Sequence, residues 1–124
     1  MKEKKILVDG KEMTMRASAL VPRLYRAKFG RDMISDMRKL AKAYQKAKEA
    51  KTEEEKEEAQ LSAFDLEVFE NTAWIMLKHG GEDVGDSPEE WLDSLEVFSV
   101  YEFLPAILEL WALNQKTTSV PKKK

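Results

Sequence analysis

The stretch LSAFDLEVFENTAWIMLKH, residues 61–79, decides the fold. Leu61, Phe64, Val68, Ile75 and Met76 follow spacings close to three and four, and Leu66, Phe69, Ala73 and Leu77 form a second stripe beside them. A helix with two adjoining apolar stripes is apolar over much of its circumference and belongs inside a bundle. Its polar residues, Asp65, Glu67, Glu70 and Asn71, fall in the first half, whereas residues 72–77 can pack on nearly every side. The stretch therefore predicts a central helix over about 59–79, closed by Gly80 and Gly81. A glycine there can take the left-handed conformation that ends a helix, and a protonated His79 in the last turn would favour the negative end of the macrodipole.

Working outward, Ser87-Pro88-Glu89-Glu90 reads as a helix start: serine as N-cap, proline in the first turn, and Glu90 placed to complete a capping box. Trp91, Leu92, Leu95 and Phe98 form the expected buried face of that helix. Ser99 and Glu102 offer another box, but Pro105 predicts that the last helix starts or bends near Leu104, with Ile107, Leu108 and Trp111 as its core stripe. Upstream of the central helix, KTEEEKEE at 51–58 is nearly all charge and reads as an exposed connection or a frayed helix start, with Thr52 and Glu55 in capping-box spacing. Asp32 is placed to cap a helix whose Met33, Met37, Leu40, Tyr44 and Ala47 repeat 4-3-4-3, a narrow seam facing one partner. Pro22 suits the first turn of a shorter helix running to Phe29 and stopped by Gly30.

Near the N-terminus, Asp9-Gly10-Lys11 separates two short runs in which apolar and polar residues alternate, the pattern of a β-hairpin over about 4–16. Two strands alone are marginal in water, so the hairpin must lie on the helices or pair with the edge of another subunit. The fold class that follows is mainly α: a compact bundle of about five helices around the central one, with a short N-terminal hairpin. Residues 1–115 read as a single domain and residues 116–124 as a disordered basic tail.

The 124 residues are enough for one domain with its own core, and 43% apolar with 35% charged residues suits a well-solvated globular surface. The absence of cysteine excludes disulfides, thiolate metal ligands and thiol chemistry. The lysines at 2, 4 and 5 precede an apolar run of only residues 6–8, too short for a secretion signal. No run approaches the roughly 18–20 residues that span a bilayer, so the chain reads as soluble and intracellular.

The net charge of −2 conceals strong segregation. Residues 1–51 hold 15 Lys/Arg against 6 Asp/Glu, a balance of +9, and residues 52–115 hold 2 against 17, a balance of −15. The last nine residues add 4 lysines and no acid. Such asymmetry arises when basic and acidic parts fold together, when opposite ends of neighbouring subunits attract, or when the basic part meets a polyanion. The acidic half would repel nucleic acid at the Debye length of about 8–10 Å, which favours the first two.

Residues that could carry catalysis are sparse. A lone histidine, His79, excludes multi-histidine metal sites, and its helix-end position accounts for it without a role as general base. Asp32 with Asp36, and Glu67 with Glu70, share helix faces, but exposed acids at this spacing are common and nothing in the sequence separates their pKa values. Gly80-Gly81 lacks the flanks of a phosphate loop, and Trp74, Trp91 and Trp111 lie in apolar stripes that suit core packing. The sequence points to a protein that is not an enzyme and needs no cofactor or metal.

Four stretches in order, LYRAKFGRDM at 24–33, WIML at 74–77, SPEEWL at 87–92 and ILELWALNQKTTSVPKKK at 107–124, together with the Asp-Gly-Lys hairpin, resemble the tail assembly chaperones of long-tailed, siphovirus-type phages and prophages of Gram-positive bacteria. The resemblance covers nearly the whole chain, although no single motif in it is catalytic. It implies a small helical protein that acts in the cytoplasm of the bacterial host and is absent from the mature virion. Its implied partners are the tape measure protein, which it keeps soluble, and the tail tube (major tail) protein, engaged through a form extended by programmed frameshift. Codons for Lys122, Lys123 and Lys124 are of the kind that can form a slippery run. On this reading, client or neighbour contacts fall to Arg38, Lys39, Lys42 and Lys46 on the basic helix and to Glu89, Glu90, Glu96 and Glu102 on the acidic segment, with a homo-oligomer as a further expectation. Two other classes remain, a structural head-tail or tail component of the virion and a nucleic-acid-binding module using the basic half, the latter the less favoured.

Overall fold

A computed structural model of the protein describes residues 2–118, with the side chains of residues 3–113. The expected central helix is α4, Ala63–His79. It starts four residues later than the periodicity suggests, because Ser62 and Asp65 form a capping box: the Ser62 hydroxyl accepts from Asp65 N–H and the Asp65 carboxylate accepts from Ser62 N–H, each at 3.0 Å. Six consecutive residues, 72–77, are buried, so the helix is surrounded where the sequence has no polar face. The elements around it are β2, Lys11–Ala17; α1, Val21–Phe29; α2, Met33–Glu49; α5, Pro88–Asp93; and α6, Val100–Thr118. Two residues depart from the expected stripe: Leu61 precedes the Ser62 cap, and Phe64 is exposed and lies under the Arg31 guanidinium at 4.7 Å.

β1, Lys2–Val8, pairs antiparallel with β2 through the turn at Asp9 and Gly10, which have φ of 53° and 80°. The primed turn that this geometry makes matches the twist of the strands, which is why Asp-Gly marks it. Val8, Met13, Met15 and Ala17 are buried on one face of the hairpin, and α4 and α6 pack on it. The helices thus stabilise the two strands.

Several local expectations need correction. The charged segment at 51–58 is exposed and capped at Thr52/Glu55 as expected, but it is not the frayed start of the central helix: residues Glu53–Glu58 form a separate short helix, α3, with no buried side chain. The second box at Ser62 restarts the chain as α4 and thereby cuts α3 off. The bundle accordingly has six helices among the described residues, in keeping with the expected count of about five. α5 stops at Asp93, so Leu95 and Phe98 do not lie on its face. Phe98 is drawn instead into an aromatic cluster, stacked on Phe69 at 5.3 Å and edge-on to Trp91 and Phe103.

The last helix does not wait for Leu104. α6 begins at Val100 and carries Pro105 in its second turn on an exposed position. Only the bond to Tyr101 O is removed there, and the burial of Phe103, Leu104, Ile107, Leu110 and Trp111 outweighs that loss. α6 also runs through Thr118, past the expected start of the tail at Lys116. Residues 119–124, and with them the three terminal lysines, lie outside the described residues.

Candidate functional site

α1 is short, but two clefts are lined by its residues. Pro22 pre-sets its first turn, and Val21 and Tyr25, one turn apart, hold it to the core. That orientation leaves Leu20, Leu24 and Ala27 along one flank and Arg23, Arg26 and Arg31 along the other, with a cleft on each side.

The first cleft, about 530 Å³, lies between α1 and α4. Leu20, 47% exposed, and Leu24 form one wall, and Trp74 and Ile75 line it from α4. The Trp74 indole is held by three contacts: its N–H donates to Val84 O at 3.0 Å, the Phe29 ring meets it edge-on at 6.2 Å, and two ammonium groups flank it. Lys28 Nζ and Lys78 Nζ each stand 5.2 Å from the ring centroid. Their donors reach neutral carbonyls, Asp86 O at 2.8 Å and Gly85 O at 3.2 Å. Among the described residues neither ammonium forms an ion pair. The cleft thus combines an apolar lining with two cations that have no ion-pair partner among the described residues.

His79 closes one end of this cleft and hydrogen-bonds Ser18 Oγ through Nε2 at 2.9 Å. Ser18 Oγ also accepts from Leu20 N–H, so the pair pins the end of the hairpin to the end of α4. Burial, followed by the nearby Arg16 charge, holds the His79 imidazole below its ordinary pKa. The favourable helix-end interaction expected of a protonated His79 is therefore outweighed. The next residue is fixed by space rather than by dihedral angle. Gly80 has φ −80°, and a Cβ there would stand 2.2 Å from Thr14 O. The left-handed residue of this helix end is Gly81, at φ 90°.

The second cleft, about 1030 Å³ and open, is lined by Arg23, Arg26 and Arg31 opposite Met33. Arg31 does not face it as a free cation: Nε and Nη2 donate to the two Asp36 carboxylate oxygens, both at 2.7 Å. Tyr25 OH donates to Asp36 Oδ2 at 2.9 Å. Asp36 is 2% exposed, contrary to the expectation that it and Asp32 are two ordinary surface acids. The guanidinium hydrogen bonds hold its carboxyl below the usual range, while burial pushes the Tyr25 phenol up. Asp32 has a different task, accepting Ile34 N–H as the N-cap of α2. The other expected ordinary pair also divides: Glu70 is half-buried and its carboxyl is raised, by burial first and then by Glu67 and Glu89.

The charged residues assigned to partner contacts are exposed in every case. Arg38, Lys39, Lys42 and Lys46 lie on α2, and Lys39 Nζ reaches to 5.9 Å from the Phe64 ring. Glu89 and Glu90 belong to α5, Glu96 to the connection after it, and Glu102 to the first turn of α6. Glu90 has a local use, accepting Asp86 N–H and packing against Gly85. No ion pair joins the basic set to the acidic set among the described residues. Among the described residues the one pair linking the basic half to the acidic half is Lys4 with Glu109, at 2.6 Å, so direct ion pairs do not hold the two assigned sets together.

Sequence reasoning overlooked the α1–α4 cleft. Its signal was Leu20, Leu24, Ala27 and Lys28, spaced by four, three and one, a second stripe beside the buried Val21 and Tyr25. Nothing local to residues 20–28 indicates that Trp74 and Lys78 face it. Compared with protein-family models, curated proteins and solved structures, the chain matches none.

Proposed function

We propose that the protein is a tail assembly chaperone of a long-tailed phage or prophage, binding the tape measure protein during tail morphogenesis and helping to recruit tail tube subunits around it. The reading rests on the order of the four stretches that resemble that family. One structural observation supports it: an apolar cleft rimmed by two lysines without an ion-pair partner among the described residues suits a protein whose work is binding an amphipathic helical client. Many copies along one long client would gain by avidity what each contact lacks in strength. No catalytic step belongs to this function.

Co-expression with the tape measure protein, followed by solubility and co-purification, tests it. A soluble client in complex with this chain is expected; an aggregated client with no complex would overturn the reading. The extended product is a separate part of the proposal. It requires a slippery heptamer at the codons for residues 122–124 and an overlapping downstream frame, and a gene lacking either ends that part.

The arginine-lined cleft supports a second reading, binding to a polyanion through α1 and α2. It predicts a gel shift with duplex DNA at low salt that disappears steeply as salt rises. A protein that shifts no DNA at low ionic strength removes it.

A further inference from the structure

The α1–α4 cleft has a lining and a charge pattern that together specify the chemistry of an occupant. Lys28 and Lys78 place two like charges at 5.2 Å from the same indole ring. Besides the indole face, their hydrogen-bond partners are neutral carbonyls, those of Asp86 and Gly85. The adjoining loop carries Glu82, Asp83, Asp86, Glu89 and Glu90, but among the described residues none forms an ion pair with either lysine, and three of them accept backbone N–H groups. Glu82 accepts Thr14 N–H, Asp83 accepts Gly85 N–H, and Glu90 accepts Asp86 N–H. The end of α4 does not supply the missing negative charge, because its last carbonyls accept the N–H groups of Gly80, Gly81 and Glu82. A carboxylate arriving from outside would meet two ammonium groups beside a low-dielectric wall, where such pairing is stronger than in water.

We propose that this cleft is a docking site for an acidic amphipathic helix. Apolar side chains spaced three and four apart would lie over Leu20, Leu24 and Ala27, and Asp or Glu residues flanking that stripe would pair with Lys28 and Lys78. Charge complementarity selects this occupant over the chain's own C-terminus, since residues 119–124, SVPKKK, would bring lysines to lysines. The preference for acid follows from the cleft alone. Identifying the helix with a segment of the tape measure protein rests on the proposed function.

Two synthetic peptides of about 18 residues, long enough to hold a helix, test the proposal with the full-length protein. Both carry the same leucine stripe and no tryptophan; one has Glu on the flanks and the other Lys. Isothermal titration should show the Glu peptide binding at least about tenfold more tightly, with an advantage that shrinks as salt rises. Lys28→Glu combined with Lys78→Glu should reverse the preference, and Lys28→Gln with Lys78→Gln should abolish it. Both positions are exposed, and thermal melts of the variants establish that they are folded. Equal binding of the two peptides, or a preference that survives charge reversal in folded protein, overturns the proposal. So does light scattering that shows the wild-type protein associating through these lysines, because the occupant is then a second copy. The two readings fail separately. A cleft that takes the Glu peptide in a protein that never retains the tape measure protein defeats the proposed function alone, whereas client binding that is indifferent to both lysines defeats the cleft alone.

Discussion

Substitution of Asp36 by asparagine offers the most direct measure of what joins α1 to α2. The carboxylate is buried and accepts three hydrogen bonds, two from Arg31 and one from Tyr25. Asparagine keeps the shape, removes the charge and turns an amide N–H₂ toward a group that only donates. Breaking a buried pair from one side costs about 3–5 kcal/mol when the remaining charge is stranded. The Arg31 side chain is 42% exposed, so water can hydrate it once released, which places the expected loss near the lower limit, about 3 kcal/mol. For a chain of 124 residues that corresponds to a fall in melting temperature of about 9–15 °C. Tyr25→Phe removes a single bond to a carboxylate that keeps its arginine, and should cost about 1.5 kcal/mol. In the double variant the loss should fall short of the sum, since the two side chains share the bond.

The pH dependence gives an independent check. The folded-state pKa of Asp36 lies below its ordinary value, so this stabilisation is fully present above the unfolded value of about 4 and is lost as pH falls through the folded value. Urea melts of wild type and Asp36→Asn, taken from pH 7 down to pH 2, should therefore converge at the acid end. Curves that stay parallel, or a loss at neutral pH below about 0.5 kcal/mol, would refute the assignment of Asp36 as an ionised, buried anchor.

The other predictions concern single sites. Gly80→Ala forces a methyl group against the Thr14 carbonyl and should destabilise by about 1–3 kcal/mol or more in denaturant melts; an unchanged midpoint would mean that α4 and β2 are not in contact there. Trp74→Ala should cost about 3–5 kcal/mol through the cavity it leaves. Trp74→Phe should cost about 1–3 kcal/mol, mainly for the unpaired Val84 carbonyl, and equal losses in the two variants would contradict that division. Glu70 has a raised folded pKa, so its charge opposes folding as pH rises above the ordinary value of 4.5. Glu70→Gln should accordingly raise the melting temperature at pH 7 and lose that advantage toward pH 4. His79 has a lowered folded pKa, so its contribution is full above 6.5 and declines as pH falls below it. His79→Gln should flatten that limb of the stability profile, and an unaltered limb would place its origin elsewhere.

Local chemistry determined much of this protein in advance. Asp32, Thr52 and Ser87 each cap the helix that follows them, Pro22 opens α1, and Asp9-Gly10 turns the hairpin, because each acts on a backbone group only a few residues away. Burial of residues 72–77 was also legible, since six adjacent residues without a charge leave a helix no polar face to turn outward. Where two local signals compete, one prevails: Ser62 takes the start of α4 from the acidic segment before it, and Pro105 is overruled by the core stripe behind it.

Tertiary structure alone decided the rest, because the partners are distant in the chain. Thr14 N–H finds Glu82 across 68 residues, which brings Gly80 against the same strand and makes its missing side chain a requirement. Asp36 and Glu70 look like surface acids until α1 covers one and the bundle half-buries the other. The α1–α4 cleft has the same origin. Residues 61–79 carry Trp74, Ile75 and Lys78 whatever surrounds them, but only the packing of α1 onto α4 turns the last part of that helix into the wall of a basic, apolar groove.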